Sequence, residues 1–207
     1  MQDQYRVENE AALQEIIGEP FDFVVAKIKK SLDEPMSNFI RQSPLVFVST
    51  IDEDGNIDTS PKGDPPGFVQ IDKSGNLIIP ERPGNRLAFG FKNILRNSKI
   101  GLIFVIPNQR ETLRIKGTAT LHRDPDVLSN LQVNNKPALL FTSVAIEACF
   151  FHCGKAMIRS KVWKPESWDQ PSRSPMVKQF ATAMGGDEDT EKEFDEALEE
   201  NYRDELY

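Results

Sequence analysis

The sequence predicts a mainly β fold with peripheral helices (α+β), built around an antiparallel barrel that is closed or nearly closed. One observation is a series of short apolar runs, separated by turn signals, between positions 45 and 121. Another is the strict alternation from Thr112 to Leu121, where apolar and polar side chains take opposite faces, as in a half-buried strand. Because short strands in an open sheet would leave long unpaired edges, this spacing favours a barrel.

Residues 1–42 are expected to form helices that cover a barrel end or edge. Apolar residues recur at helical spacing in Ala11–Ile17 and Phe23–Leu32, and Gly18–Pro20 between them is a stop signal. Ser37–Gln42 is a further helical turn, ended by Ser43–Pro44. The N-terminal segment is therefore predicted to be a helical cover.

Residues 43–163 are expected to form the barrel. Leu45–Ile51 is a β-branched and aromatic run, and Asp54–Asn56 after it is a hairpin signal. Later strands are predicted at Leu77–Ile79, Ile100–Ile106, Thr112–Leu121 and Leu139–Cys153, with short helices at Pro125–Leu131 and Gly154–Val162.

An internal helix is predicted between the strands that end at Ile79 and begin at Ile100. Asn85 stands just before its apolar positions, and Gly84 allows close approach of the backbone. Orphan amides, the positive end of the helix dipole, and nearby Arg82 and Arg86 make its start a candidate anion site. The apolar positions that define the helix are Leu87, Phe91, Ile94 and Leu95.

The stretch Asp58–Val69 contains three prolines and two glycines. We expect it to be a rigid excursion or bulge and not part of a ladder. Such a loop suits ligand binding, with Lys62 aimed at the ligand. It equally suits a tight barrel corner with Lys62 in solvent.

Composition indicates one globular domain spanning residues 1–207, because the chain has 207 residues, 39% of them hydrophobic and 28% charged. No apolar run is long enough to cross a bilayer, and the N-terminus lacks signal-peptide features, so we expect a cytoplasmic protein without a membrane partner. An acidic chain with no long Lys/Arg stripe also argues against nucleic acid as a partner.

Residues 164–207 are predicted to be a linker followed by an acidic helical tail. Asp187–Tyr207 holds eleven acidic and two basic residues, a local charge of −9, so the other 186 positions carry +2. Ser172–Pro175 is linker-like, and a helix at Met176–Met184 precedes the tail. The tail is either a docked cover or a partly disordered end.

No metal site and no catalytic residue are predicted. In a strand, Cys149 and Cys153 would share a face while His152 points the other way, so a common metal is disfavoured. His122 is interpreted as a surface or capping residue, because no nucleophile stands near it in sequence.

Four segments occur in this order along the chain: Ser43–Pro44, Ser60–Val69, Pro80–Arg86, and Glu111–Arg114 with Gly117. Together they resemble the pyridoxamine 5'-phosphate oxidase-like flavoproteins, the FMN-binding split barrels. The resemblance extends from about Phe39 to about Trp163. It implies an antiparallel split β-barrel of the FMN-binding type and a homodimer with FMN at the subunit interface.

The resemblance also implies roles for particular residues. Lys62 would hold the FMN phosphate, joined by Gly84, Asn85 and Arg86. Residues lining the flavin ring would be Ile79, Pro80 and Glu81, and Thr112 stands where the oxidases have a flavin-contacting Gln. The other expected cofactor-binding residues are Arg82, Arg114, Lys155 and Arg159. The FMN phosphate carries nearly two negative charges, so two or three charge-assisted donors are expected around it. The basic residues that more than supply them are Lys62, Arg82, Arg86, Arg114 and Lys116.

By this resemblance the protein is expected to be an FMN-dependent oxidoreductase acting on an unidentified small molecule. The oxidases' Arg-Gln-Val is replaced by Glu111–Leu113, and an acidic helix replaces their Arg-containing terminus, so oxidation of pyridoxamine phosphate is not implied. The alternatives are a non-catalytic FMN or haem binding or sensing protein and an F420-dependent reductase of the same fold. A flavin sealed by the tail or by Trp163 and Trp168 would favour storage or sensing, and an open cavity would favour an enzyme.

Overall fold

A computed structural model describes residues 3–169 and 174–205, and a seven-stranded antiparallel sheet is its centre. The strands are β1 (Leu45–Ile51), β2 (Ile57–Gly63), β3 (Gln70–Ile71), β4 (Leu77–Glu81), β5 (Lys99–Val105), β6 (Thr112–His122) and β7 (Leu140–His152). The helices are α1 (Glu10–Ile17), α2 (Asp22–Ala26), α3 (Glu34–Gln42), α4 (Phe89–Arg96), α5 (Pro125–Asn130), α6 (Lys155–Ser160), α7 (Pro175–Ala183) and α8 (Glu188–Asp204).

The sheet, in the order β2-β1-β5-β6-β7-β4-β3, curls around one core. Four strand spacings separate β1 from β4, which would be about 19 Å in a flat sheet. Yet Val46 of β1 and Ile79 of β4 belong to the same buried cluster as Leu113 of β6. This curl confirms the predicted fold, an antiparallel barrel that is split, with peripheral helices.

The alternation predicted for Thr112–Leu121 is confirmed in β6, where Leu113 and Ile115 are buried and Lys116 is exposed. A bulge follows Lys116, because Lys116 pairs with Ala148 and Gly117 with Ile146. A Cβ atom on Gly117 would lie 2.1 Å from the carbonyl oxygen of Ala145. The bulge therefore requires glycine at position 117.

The prediction that Asp58–Val69 forms no ladder is wrong for its first half. β2 pairs with β1 along its whole length, and Pro61 lies opposite Phe47. Proline is tolerated because β2 is an edge of the described sheet, so its missing N–H costs no bond to a second neighbour.

The helices predicted at Ala11–Ile17 and Ser37–Gln42 are present as α1 and α3, and α3 buries Met36 and Ile40 in the core. Among the described residues, α1 and α2 bury none of their side chains. The predicted helix Phe23–Leu32 is wrong beyond Ala26, since the backbone of Lys29 instead exchanges two hydrogen bonds with Cys149. Pairing with β7 outweighs the helical periodicity there.

The tail forms the predicted amphipathic helix α8, and α8 packs on α7. The rings of Phe180 and Phe194 join them, with centroids 6.0 Å apart. Of the predicted linker Ser172–Pro175, positions 172 and 173 lie outside the described residues. No helix in the described ranges combines the length and apolarity needed to cross a bilayer.

Candidate functional site

A cavity of about 920 Å³ opens between β2, the end of β4 and the start of α4. Residues 58–65 form one wall, and residues 79–91 form the other. Eight of the twelve predicted cofactor-binding residues line it. They are Lys62, Ile79, Pro80, Glu81, Arg82, Gly84, Asn85 and Arg86.

The other four predicted residues lie elsewhere in this chain. Lys62 lies opposite the buried Val46 on the neighbouring strand, so both side chains are on the inner face of the sheet. Arg114 lies opposite Ile103, on the outer face. Thr112 shares that outer face by strand alternation. Lys155 and Arg159 are exposed on α6.

Lys62 reaches across the cavity to a buried carboxylate. Its Nζ lies 2.6 Å from Oε2 of Glu81 and 4.7 Å from the ring centre of Phe91. The Thr142 hydroxyl donates a 2.9 Å hydrogen bond to Oε1 of Glu81. The side chain of Lys62 is 25% exposed and that of Glu81 only 4%, so Lys62 is the more accessible member of the pair.

Burial raises the pKa of the Glu81 carboxyl above its ordinary value, although the Lys62 ammonium and the Thr142 hydroxyl act in the opposite direction. Removing an ionised carboxylate from water favours its neutral form. Glu81 is therefore a group whose proton occupancy responds to nearby charge.

A second ion pair lies in the same wall. The Arg82 Nε donates a 2.9 Å hydrogen bond to Oδ2 of Asp64, and their side chains are 13% and 2% exposed. Sequence analysis did not identify Asp64 or Thr142 as site residues. Both touch their partners only because the sheet curls, so no local sequence signal marks them.

The internal helix begins later than predicted, at Phe89 and not beside Asn85. The Asn85 side chain instead accepts a 3.1 Å hydrogen bond from the Leu87 amide, closing a local turn. Arg86 and Ala88 have φ values of 63° and 55°, and such left-handed residues interrupt a helix. The expected helix-start anion site is thus a turn, and its residues line the same cavity.

The apolar face predicted for that helix is only partly buried. Ile94 is 7% exposed, whereas Leu87 and Leu95 are 52% and 75% exposed. A Cβ atom on Gly84 would meet nothing within 4 Å among the described residues, so the predicted close backbone approach is not seen within this chain.

The expected surplus of cations is smaller than predicted. Lys62 and Arg82 are each paired with a carboxylate that is almost fully buried, whereas Arg86 is exposed at the cavity edge. An incoming anion must therefore compete with Glu81 and Asp64 for the first two cations.

The remaining candidates are separate from the cavity. Burial raises the pKa of the Cys149 thiol, and Cys153 is exposed beyond the end of β7. His122 Nε2 lies 2.7 Å from the Thr120 hydroxyl oxygen, and its ring stacks on Phe141 with centroids 5.3 Å apart. This agrees with the interpretation of His122 as a surface residue.

Neither tryptophan closes the cavity in the described part of the chain. The indole N–H of Trp163 donates to the Gln109 carbonyl at 2.7 Å, and that of Trp168 to the Lys161 carbonyl at 3.1 Å. Neither residue is among those that line the cavity.

Comparison with known sequences gives one family match. A profile of the family described as pyridoxamine 5'-phosphate oxidase matches residues 32–153, which include every segment of the cavity wall. Among curated proteins, none is similar enough to this chain to count as a match.

Several solved structures are similar to this chain. HupZ from Group A Streptococcus shares 20% identity over 58% of this chain and 93% of its own, with a TM-score of 0.47. A candidate pyridoxamine 5'-phosphate oxidase from Lactobacillus delbrueckii shares 25% identity over 59% and 95%, with a TM-score of 0.46. HutZ, a heme storage protein from Vibrio cholerae, shares 11% identity over 58% and 94%, with a TM-score of 0.39.

Proposed function

Because this chain belongs to the pyridoxamine 5'-phosphate oxidase family, we propose that it is an FMN-binding flavoprotein and an oxidoreductase acting on a small molecule. The observation that carries the proposal is the convergence of Lys62, Arg82 and Arg86 on one cavity, beside the turn closed by Asn85. Charge-assisted donors grouped in this way suit a phosphate group.

The cavity fits FMN in size and chemistry. Its volume of about 920 Å³ lies within the range usual for cofactor sites. Apolar side chains of Ile79, Pro80 and Leu139 line it, and they provide a surface for a flat ring system. Bound FMN would supply the hydride acceptor or donor, while these residues orient the ring and the cations hold the phosphate.

We propose that the protein is a homodimer whose second subunit completes the site. An outer-face row runs across five strands, and its large apolar members Phe47 and Ile103 are 38% and 36% exposed. If two copies pack through this face, Thr112 and Arg114 of one subunit would approach the flavin held by the other. Lys155 and Arg159 would lie at the edge of the shared site. The row consists of Pro61, Phe47, Ile103, Arg114 and Phe150.

An enzyme is favoured over a storage protein because the cavity is accessible. Trp163 and Trp168 do not line it, and α8 packs on α7 through Phe194. A substrate could therefore reach the flavin ring.

The test is the visible absorption spectrum of the purified protein, followed by identification of the ligand released on denaturation. Flavin bands with FMN recovered, and reduction of the bound flavin by NADH or NADPH, would support the proposal. If no reductant or electron acceptor alters the redox state of the bound flavin, the protein binds flavin without acting as an enzyme. Recovery of haem or of the deazaflavin F420 would replace FMN as the cofactor.

A further inference from the structure

The ion pair between Lys62 and Glu81 conflicts with the role proposed for Lys62. A phosphate group brings nearly two negative charges to the ammonium. That ammonium already lies 2.6 Å from a carboxylate whose side chain is 4% exposed. Without a change in charge, phosphate binding would place three negative charges around one lysine in a partly dry site.

We propose that Glu81 takes up one proton when a phosphate dianion binds at Lys62, so that ligand binding at this site is proton-linked. The inference rests on the proposed function, since it concerns the phosphate end of the same cavity. The proton comes from solvent and is held on the Glu81 carboxyl. No bond other than that O–H is formed or broken.

The geometry of the carboxyl identifies Oε2 as the oxygen that receives the proton. Oε1 accepts the hydrogen bond of the Thr142 hydroxyl at 2.9 Å. Oε2 is buried and, among the described residues, has no hydrogen-bond partner of good geometry, although the Lys62 ammonium is close. A proton on Oε2 therefore ends the ion pair with Lys62, keeps the Thr142 hydrogen bond to Oε1, and leaves the lysine charge available to the phosphate.

The direction of the change follows from electrostatics. A second negative charge near a carboxylate favours its neutral form, and burial acts in the same direction. The Glu81 carboxyl is already displaced toward neutrality by its burial. Phosphate raises its pKa further and at the same time draws away the ammonium that opposes this shift.

The other charges that face this part of the cavity leave Glu81 as the responsive group. Asp64 is paired through Oδ2 with the guanidinium of Arg82, which stays charged at all relevant pH values. Arg86 is exposed at the cavity edge, and Asp58 lies further along β2. Glu81 alone among these carboxylates depends on the lysine that the phosphate is proposed to recruit.

A proton taken up on binding makes the complex tighter as the pH falls. For one proton, affinity changes by up to about tenfold per pH unit. Above pH 7 the phosphate itself is largely a dianion, because its second pKa is about 6. The slope between pH 7 and 8.5 therefore reports on the protein and not on the ligand.

The experiment is calorimetric titration of the full-length protein, freed of ligand, with FMN in two buffers of different ionisation enthalpy. The wild type is expected to take up as much as one proton per FMN, and to bind FMN more weakly as pH rises from 7 to 8.5. Glu81→Gln should abolish both effects and bind FMN at pH 8.5 at least about tenfold more tightly than the wild type. Asp64→Asn is the matched control and should retain the proton uptake.

Two further measurements keep the test decisive if Glu81→Gln fails to fold. Riboflavin, which lacks the phosphate, should bind the wild type without proton uptake. The infrared difference spectrum of the wild type on FMN binding should show the carbonyl stretch of a newly protonated carboxylic acid. FMN binding without proton uptake and without that band would overturn the inference and leave the proposed function intact, whereas a wild type that binds no FMN overturns both.

Discussion

Lys62 is the residue on which the proposed cofactor site depends most. Its ammonium contacts Glu81 of β4 and lies over the ring of Phe91 in α4, so it joins three elements around the cavity. Its side chain is still 25% exposed and lines the cavity, so a ligand there could contact it. Replacing it should weaken ligand binding, and it also leaves the buried Glu81 carboxyl without its counter-ion, so the stability of the variant is measured alongside its affinity.

Lys62→Ala is expected to weaken FMN binding about 10- to 100-fold, since it removes one charge-assisted hydrogen bond to the phosphate. Fluorescence titration of the ligand-free protein with FMN measures this. Lys73→Ala, at an exposed lysine in the turn before β4, is the control and should bind as the wild type does. Equal affinity of Lys62→Ala and Lys73→Ala would reject the phosphate assignment.

Gly117 is a position where the backbone permits no side chain. Gly117→Ala would place a Cβ atom 2.1 Å from the Ala145 carbonyl oxygen and should lower the free energy of unfolding by about 3 kcal/mol or more. Gly101→Ala is the matched control, because its nearest new contact is Ser49 Cβ at 3.9 Å. Urea denaturation of both variants measures the difference, and similar stabilities would contradict the assigned bulge.

Sequence reasoning selected cationic residues that line the cavity, but it did not foresee the ion pairs that they make. Lys62 and Arg86 belong to recognisable segments, whereas the contact of Lys62 with Glu81 joins β2 and β4, five strand spacings apart in the sheet order. Only the curl of the sheet brings them together. Local sequence patterns carry no information on that curl, so the pairing with Glu81 and the role of Thr142 could not be predicted.

The N-terminal cap of α3 supports the fold because the helix itself is packed on the core. The Asp33 carboxylate accepts a hydrogen bond from the Met36 amide and forms an ion pair with Lys29, and α3 buries Met36 and Ile40. In α1, Asn9 makes a similar cap to the Ala12 amide. That helix buries none of its described residues.

Asp33→Ala is expected to lower the free energy of unfolding by about 1 kcal/mol at neutral pH, and Asn9→Ala to leave it nearly unchanged. The Lys29 ammonium, and then the Met36 amide, lower the pKa of Asp33, so its contribution is present above the unfolded pKa and is lost as pH falls through the folded one. The Asp33→Ala deficit should thus shrink below about pH 4. Denaturant titrations at several pH values test this, and a pH-independent deficit would contradict it.

The elements with the clearest periodicity were the ones predicted correctly. Strand β6 follows its alternating pattern, because one face packs on the core and the other carries its polar side chains. The failures have tertiary causes: Pro61 is accepted at a sheet edge, and Lys29 pairs with β7 instead of extending α2. Both depend on neighbours that are distant in sequence.

In the whole molecule, the outer face of the sheet and the cavity on its inner side hold different parts of the proposed site. Lys62 and Arg86 line the cavity, whereas Arg114 and Thr112 lie on the outer face. A second subunit is the simplest way to bring both sets to one flavin. A substitution that disrupts the proposed dimer should therefore also release the cofactor.

Ile103→Glu is expected to convert the proposed dimer to a monomer and to release FMN, because it replaces an apolar side chain in the centre of the outer-face row by a carboxylate that the partner would bury. Ile103→Val should retain both properties. Light scattering coupled to gel filtration gives the mass, and absorbance in the same run gives the flavin content. A dimeric Ile103→Glu variant with bound FMN would place the interface elsewhere.

The most direct measurement of the central claim is a titration of the ligand-free protein with FMN and, separately, with riboflavin, followed by flavin fluorescence. If the cavity of Lys62, Arg82 and Arg86 anchors a phosphate, FMN should bind with about one equivalent per chain, and riboflavin at least about 100-fold more weakly. Equal affinities for the two ligands, or no saturation with FMN, would contradict a phosphate-anchored flavin site.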